Sequence, residues 1–156
     1  MEVILLLRGH ERFAFKNQKL KKFVKKLKKI FGDSLHIYIH TWNFSEAKSS
    51  WRNLNISKRT INEKEIIDYF DNIEVKCFID DEQTIKLYGQ TDVYIGSMPI
   101  YNWKLMWAGQ NKIIEHISQD YVVINPFIIN MRIDFFDCNT TKKFKISEDI
   151  VLKKCK

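Results

Sequence analysis

A short aliphatic run, a long helical pattern and a second strand-like run follow one another at the start of the chain, and this succession constrains the fold most. Glu2 to Leu7 is apolar on both faces and stops at Arg8-Gly9, as a central parallel strand would. Leu35 to Thr41 alternates apolar and polar residues, which is strand periodicity. The apolar face of the intervening helix consists of Leu20, Phe23, Val24, Leu27, Ile30 and Phe31. Together these segments predict a right-handed β–α–β unit.

The alternation of helix and strand continues along the chain. A second helix is predicted from Asn62 to Phe70, a third strand from Ile73 to Ile79 and a fourth from Phe127 to Ile133. A long helix begins near Tyr101 in this interpretation. Its predicted apolar stripe is Trp103, Met106, Trp107, Gln110, Ile113, Ile114 and Ile117.

The remaining segments and the helix ends give weaker signals. Trp42 to Thr60 is predicted to be a long connection, Gln83 to Tyr88 a short helix and Gly89 to Pro99 a loop. We expect Asn17 and Gly32 to cap the first helix.

These elements predict an α/β fold: a Rossmann-like, open, mostly parallel sheet with helices on both faces. The chain has 156 residues, which suits one domain over residues 1–156. Counted among the four predicted strands, we expect the order 3-2-1-4. Strands one and four are then neighbours, and ligands of open α/β sheets bind in the crevice beside their carboxyl ends.

Basic residues follow the first strand at this crevice. Arg8, His10 and Arg12 surround Gly9, which would let the backbone approach a ligand closely. Guanidinium groups match phosphate oxygens, so the segment predicts an anion site. The alternative is a solvated loop in which Arg12 pairs with a surface acid.

Acidic residues follow the third and fourth strands. Arg132 and Asp134 end the fourth strand, where a carboxylate can bind Mg²⁺ or Mn²⁺; the alternative is an Arg–Asp pair that closes the strand. Asp80 and Asp81 end the third strand and could accept from a ribose or base, although we favour a turn or the N-cap of the next helix.

Charge alone does not choose a partner. The formal net charge is +7, which attracts nucleic acid, acidic lipid or sugar nucleotides alike. Eight lysines lie between Lys16 and Lys29, and we interpret them as the solvated face of a core-packed helix rather than a nucleic-acid or membrane surface.

Other candidate groups receive structural interpretations. His36 and His40 are too far apart along one strand for one metal ion, so we expect them to be packed. The tryptophans are expected in the core or between subdomains, with stacking on a sugar or base as the alternative; they are Trp42, Trp51, Trp103 and Trp107. Three widely spaced cysteines and the short apolar runs predict free thiols, no transmembrane segment and a cytoplasmic location.

The order of four motifs resembles a known enzyme family. "VILLLRGHER", "IYIHTWN", "WKLMWAGQNKIIEHI" and "FIINMRIDFF" are similar to the amino-terminal half of GT-A-like glycosyltransferases that assemble bacterial surface polysaccharides, with relatives in large viruses. In that family a strand ending in Thr-Trp follows the Gly/Arg loop, and Arg-x-Asp stands where better-known members have Asp-x-Asp. The match spans about residues 2 to 136.

The resemblance implies a fold, an activity and site residues. It implies a Rossmann-like nucleotide-sugar domain that transfers a sugar from a nucleotide-sugar donor to a glycan or other acceptor. Arg8, Gly9, His10, Arg12, Asp80 and Arg132 would bind the donor, and Asp134 would bind a divalent cation, Mn²⁺ or Mg²⁺. Because such enzymes continue into an acceptor-binding half, we expect a truncated enzyme, a donor-binding fragment completed by a partner chain, or a minimal variant. The alternative function is a non-catalytic basic binding module for nucleic acid or a protein partner.

Overall fold

Eleven helices and strands lie in the part of the chain that the structure, a computed structural model, describes: residues 2–47, 57–96, 98–120 and 126–137. In chain order they are β1 (Val3–Arg8), α1 (Lys19–Phe31), β2 (Leu35–Trp42), β3 (Phe44–Ala47), β4 (Ser57–Thr60), α2 (Glu63–Phe70), β5 (Lys76–Asp80), β6 (Tyr94–Ile95), β7 (Met98–Pro99), α3 (Ile100–Asp120) and β8 (Phe127–Arg132). Short 3-10 turns connect several of them.

Four strands form one parallel sheet in the order β5-β2-β1-β8. The α/β class is therefore confirmed. The strand numbers differ from 3-2-1-4 because β3, β4, β6 and β7 form two separate antiparallel hairpins, which the sequence analysis did not predict. The four predicted strands themselves lie in the expected relative order, so β1 and β8 are neighbours. We call the edge at which all four strands end the carboxyl edge.

The core has two layers because alternate side chains of each strand point to opposite faces of the sheet. On one face, α1 and α2 pack against the side chains of β1 at Val3, Leu5 and Leu7. On the other face, Ile113 and Ile117 of α3 pack against a second set, Ile4, Leu6 and Tyr38. Helices thus cover both faces of the sheet, as predicted.

Helix α1 contributes the predicted core residues Leu20, Phe23, Val24 and Leu27. Its first cap is corrected: Gln18 is the N-cap, and the Asn17 side chain instead accepts a hydrogen bond from the Lys19 amide. Gly32 ends the helix at a φ of +56°, a conformation that suits glycine.

Several predicted apolar faces are only partly buried. In α2, Ile66 and Phe70 are buried but Ile67 is exposed. In α3, Ile113 and Ile117 are buried, whereas the remaining large apolar residues of the predicted stripe are not, and Trp103, Trp107 and Ile114 are 40%, 45% and 47% exposed. The prediction of a core stripe was wrong for these three, because the buried face of α3 is rotated toward Leu105 and Gly109, which lie outside the predicted stripe.

Other segment predictions also need correction. Residues 83–88 form only a 3-10 turn at Glu82–Thr84, and the third strand begins at Lys76 rather than Ile73. In the described residues, no helix combines the length and the apolar character that crossing a membrane requires. Trp51, Cys138 and Cys155 lie outside the described residues, while Cys77 is a free thiol.

Candidate functional site

The loop after β1 folds back over the carboxyl edge. Gly9 has a φ of +105°, and its amide donates to the His40 carbonyl at 3.1 Å, which holds the loop against the end of β2. Arg12 has a φ of +52°, a left-handed conformation that a residue with a β-carbon rarely adopts. Strain of this kind is typical of functional loops, where the surrounding contacts enforce it.

Three guanidinium groups meet at this edge, and we call Arg8, Arg12 and Arg132 the arginine cluster. Arg132 donates to both oxygens of Asp134, with Nε to Oδ1 at 2.8 Å and Nη2 to Oδ2 at 2.7 Å. Arg12 Nη1 lies 3.0 Å from the same Oδ2. The Asp134 side chain is 8% exposed, whereas those of Arg12 and Arg132 are 39% and 49% exposed. The cations therefore face solvent above a buried acid.

Arg8 is the member of the cluster that makes no ion pair with a carboxylate of the described residues. Arg8 and Arg132 are register partners on the adjacent strands β1 and β8. The backbones of neighbouring strands lie about 4.8 Å apart. Arg8 Nε donates to the Asn130 side-chain oxygen at 2.8 Å. Burial, and then the neighbouring charge of Arg132, lowers the pKa of Arg8. Among the described residues, Asp134 is the one carboxylate that pairs with this cluster.

Asp134 is the residue to which the family resemblance gives a divalent cation, and its surroundings do not fit that role. Both of its oxygens already accept from guanidiniums. Within the described ranges, His, Cys, Asp and Glu side chains form no group of three that could bind a metal ion. The observed contact is the Arg–Asp pair that the sequence analysis held open as the alternative.

Asp80 and Asp81 have different surroundings. Asp80 Oδ2 lies 2.9 Å from Nε2 of His40, whose side chain is fully buried. Burial lowers the pKa of His40, although the hydrogen bond to Asp80 opposes the shift. Asp81 caps the following 3-10 turn by accepting from the Gln83 amide, as its alternative interpretation predicted.

His10 connects the loop after β1 with two other segments. Its Nδ1 lies 3.3 Å from the Phe44 carbonyl, and its Nε2 lies 3.5 Å from a Glu82 oxygen. These contacts place His10 on the β5 side of the carboxyl edge.

Buried polar atoms without a hydrogen-bond partner concentrate at the same edge. In the described part of the chain such side-chain atoms occur at Arg8 Nη1, Glu11 Oε1, His40 Nδ1, Thr41 Oγ1 and Asn43 Oδ1. All five belong to the ends of β1 and β2 or to the residues just after them. Of these five atoms, only Arg8 Nη1 belongs to the arginine cluster.

The structure brings the predicted donor residues to one edge of the sheet. Arg12 and Arg132 contact Asp134, Gly9 lies against the end of β2, and His10 and Asp80 lie toward β5. Sequence reasoning gave no role to Glu11, which is fully buried and accepts from Arg59 at 3.2 Å, or to Asn130. The sequence could have indicated that Asn130 lies beside the cluster, because it is two residues from Arg132 in one strand and so shares its face.

Comparison with protein-family models, curated proteins and solved structures gives no match for this chain. The functional argument therefore rests on the geometry of the carboxyl edge.

Proposed function

We propose that this chain binds the diphosphate of a nucleotide-sugar donor at the arginine cluster and takes part in transfer of the sugar to a glycan or other acceptor. The observation that carries the proposal is Arg8, a half-buried guanidinium with an unpartnered Nη1 and no carboxylate beside it among the described residues, next to Arg132. Two like charges on adjacent strands are unfavourable by themselves. A bound anion would remove that repulsion and supply the missing acceptor.

The chemistry of glycosyl transfer suits such a cluster. Cleavage of the sugar–phosphate bond leaves negative charge on the departing diphosphate, and fixed cations beside it stabilise the transition state. Asp134 holds Arg12 and Arg132 in place, so little reorganisation is needed when charge develops. The proposal therefore assigns charge neutralisation mainly to arginine, and binding of Mn²⁺ or Mg²⁺ at Asp134 stays a prediction.

Calorimetry with UDP and GDP tests the proposal. We expect micromolar to millimolar binding that survives EDTA. Arg8→Met, which keeps the aliphatic length but removes the charge, should weaken binding by about 1.5–3 kcal/mol, the value of a charge-assisted hydrogen bond. Lys22→Met, at an exposed site on α1, is the matched control and should have no effect.

One result would contradict the proposal, and another would contradict the assignment of charge neutralisation to arginine rather than to a metal ion. If neither nucleotide binds, with or without Mn²⁺, the nucleotide-sugar function is wrong. If EDTA abolishes binding, and Asp134→Asn does the same, a metal ion at Asp134 neutralises the diphosphate. Once binding is established, the catalytic step is tested by incubating the protein with UDP- and GDP-sugars. The measured quantity is the nucleoside diphosphate that transfer or hydrolysis releases.

A further inference from the structure

Two consecutive charged side chains of the loop after β1 contact different parts of the fold. Glu11 accepts from Arg59 of β4, with Oε2 3.2 Å from Nη2, whereas Arg12 Nη1 lies 3.0 Å from Oδ2 of Asp134, just after β8. Arg59 in turn donates to Glu65 of α2 at 2.7 Å. The loop is therefore tied to β4 by one residue and to the end of β8 by the next.

Arg12 needs support from its surroundings because its backbone is left-handed, with a φ of +52°. A β-carbon disfavours this conformation roughly 5- to 30-fold relative to the right-handed one. A loop without fixed contacts would therefore hold Arg12 in other conformations most of the time, and its guanidinium would leave Asp134. Such a conformation persists only where neighbouring contacts enforce it.

Glu11 is placed to enforce the conformation of its neighbour. Its side chain is fully buried against Arg59, and its carbonyl accepts from the Ala14 amide at 2.9 Å, so both side chain and backbone are fixed. A buried ion pair adds little to global stability, because the cost of desolvation offsets the attraction. A gain in global stability therefore explains the Glu11–Arg59 pair poorly, whereas fixing the residue beside Arg12 explains it.

We infer that Glu11 and Arg59 are positioning residues of the proposed diphosphate site: they hold the loop so that Arg12 keeps its left-handed backbone and its place beside Asp134. The inference rests on the proposed function. Where the binding-competent arrangement is only partly populated, the apparent affinity for a ligand falls by the same fraction. Loosening this anchor should therefore weaken nucleotide binding, although neither Glu11 nor Arg59 belongs to the arginine cluster.

Glu11→Gln tests the inference through the sign of its effect, because it keeps the shape of the side chain and removes its charge. Electrostatics alone predict tighter binding of UDP and GDP when an acid near a cationic site is removed. The positioning role predicts the opposite, an affinity about three- to ten-fold weaker in calorimetry. Arg59→Met should act in the same direction, and Arg59→Lys should restore part of the affinity. Glu63→Gln, which removes an exposed acid of α2, is the matched control and should leave both affinities within about two-fold.

A double-mutant cycle separates positioning of Arg12 from a general loss of structure. Glu11→Gln is also made in the Arg12→Gly variant, because glycine adopts a positive φ without support and leaves Arg8 and Arg132 to bind the diphosphate. In this background Glu11→Gln should change nucleotide affinity by less than about two-fold. Equal weakening in both backgrounds would show that the substitution disturbs the fold as a whole, and it would overturn the inference.

Hydrogen exchange measures the anchor without any nucleotide and so distinguishes the two proposals. In Glu11→Gln the Ala14 amide should exchange about ten-fold faster or more, while the amides of β1 and β2 keep their rates, because local opening is separate from global unfolding. Nucleotide binding that Glu11→Gln tightens or leaves unchanged overturns the positioning role and leaves the donor site intact. Unchanged exchange at Ala14 overturns the anchor itself. Faster exchange at Ala14 in a chain that binds neither UDP nor GDP supports the anchor and refutes the donor site, and with it the role in binding.

Discussion

At the scale of single residues, the carboxyl edge combines exposed cations with buried acids. Glu11 and Asp134 are buried, and each accepts from a guanidinium that reaches the surface, Arg59 for Glu11 and Arg132 for Asp134. A buried carboxylate is costly unless it is paired in this way. The acids therefore fix the positions of arginine side chains that would otherwise be mobile, and the local field remains positive.

His40 makes stability depend on pH. Burial lowers its pKa below the ordinary value near 6.5, so the unfolded chain binds a proton at His40 more readily than the folded one. Stability from this group is full above about pH 6.5 and is lost as the pH falls below it. We expect urea denaturation between pH 5 and 8 to show this loss. His40→Gln should flatten the profile. A flat profile for the unaltered protein would contradict the argument.

At the scale of elements, α1 joins the sheet through a narrow apolar stripe. The Phe23 side chain is 2% exposed among aliphatic residues of β1 and β2. Phe23→Ala should therefore lower the free energy of unfolding by about 3–5 kcal/mol. Lys22→Ala, on the neighbouring exposed position, should change it by less than about 0.5 kcal/mol. A loss below about 1 kcal/mol for Phe23→Ala would mean that α1 does not pack on the sheet. Chemical denaturation measures both variants.

Helix α3 depends on a glycine for its approach to β2. A β-carbon at Gly109 would lie 3.0 Å from the His40 ring and 3.3 Å from Trp42, and both side chains are buried. Alanine favours a helix over glycine by about 1 kcal/mol, but overpacking costs about 1–3 kcal/mol. We expect Gly109→Ala to be destabilising despite its better helix propensity, whereas Asn111→Ala, which is exposed on the same helix, should be neutral or stabilising. A more stable Gly109→Ala variant would show that α3 can move away from His40.

At the scale of the whole molecule, the net charge is +7, and basic residues form two different regions. One is the lysine-rich face of α1, and the other is the arginine cluster. The lysines of α1 lie mostly on a solvated face, although Lys21 and Lys25 both pair with Asp71. These contacts lower the pKa of Asp71. The arginine cluster instead lies at the carboxyl edge around a buried acid. Only in the second arrangement does a buried carboxylate hold the cations in place.

Charge reversal on α1 separates the two regions. Lys22→Glu with Lys29→Glu changes the net charge from +7 to +3 without touching the Asp71 pairs. UDP and GDP affinity should stay within about two-fold in calorimetry at physiological salt, where the Debye length is about 8 Å. Oligonucleotide affinity that falls steeply with salt and disappears on this reversal would favour the basic binding module instead. Arg8→Met is the converse control, since it should weaken nucleotide binding alone.

The elements that the sequence predicted well are those with strong periodicity. A strand buried on both faces gives an aliphatic run, as in β1. A helix buried on one side gives a stripe, as in α1, and a half-buried strand gives alternation, as in β2. The hairpins β3–β4 and β6–β7 were missed, since strands of two to four residues give no measurable periodicity. In α3 the apolar pattern predicts a core face centred on the wrong side of the helix, because the small Gly109, which packs against His40 and Trp42, gives no apolar signal.

The sequence by itself determined the parallel sheet, its relative strand order and the convergence of Arg8, Arg12 and Arg132 at one edge, because alternating strands and helices leave few topologies and parallel strands end together. Only the tertiary structure decided that Asp134 binds two guanidiniums, that Arg8 has no acid beside it in the described chain, and that Trp103 and Trp107 are exposed. These are properties of side-chain partners far apart in the chain. No local pattern encodes them, since they depend on which strand lies beside which and on what each helix leaves uncovered.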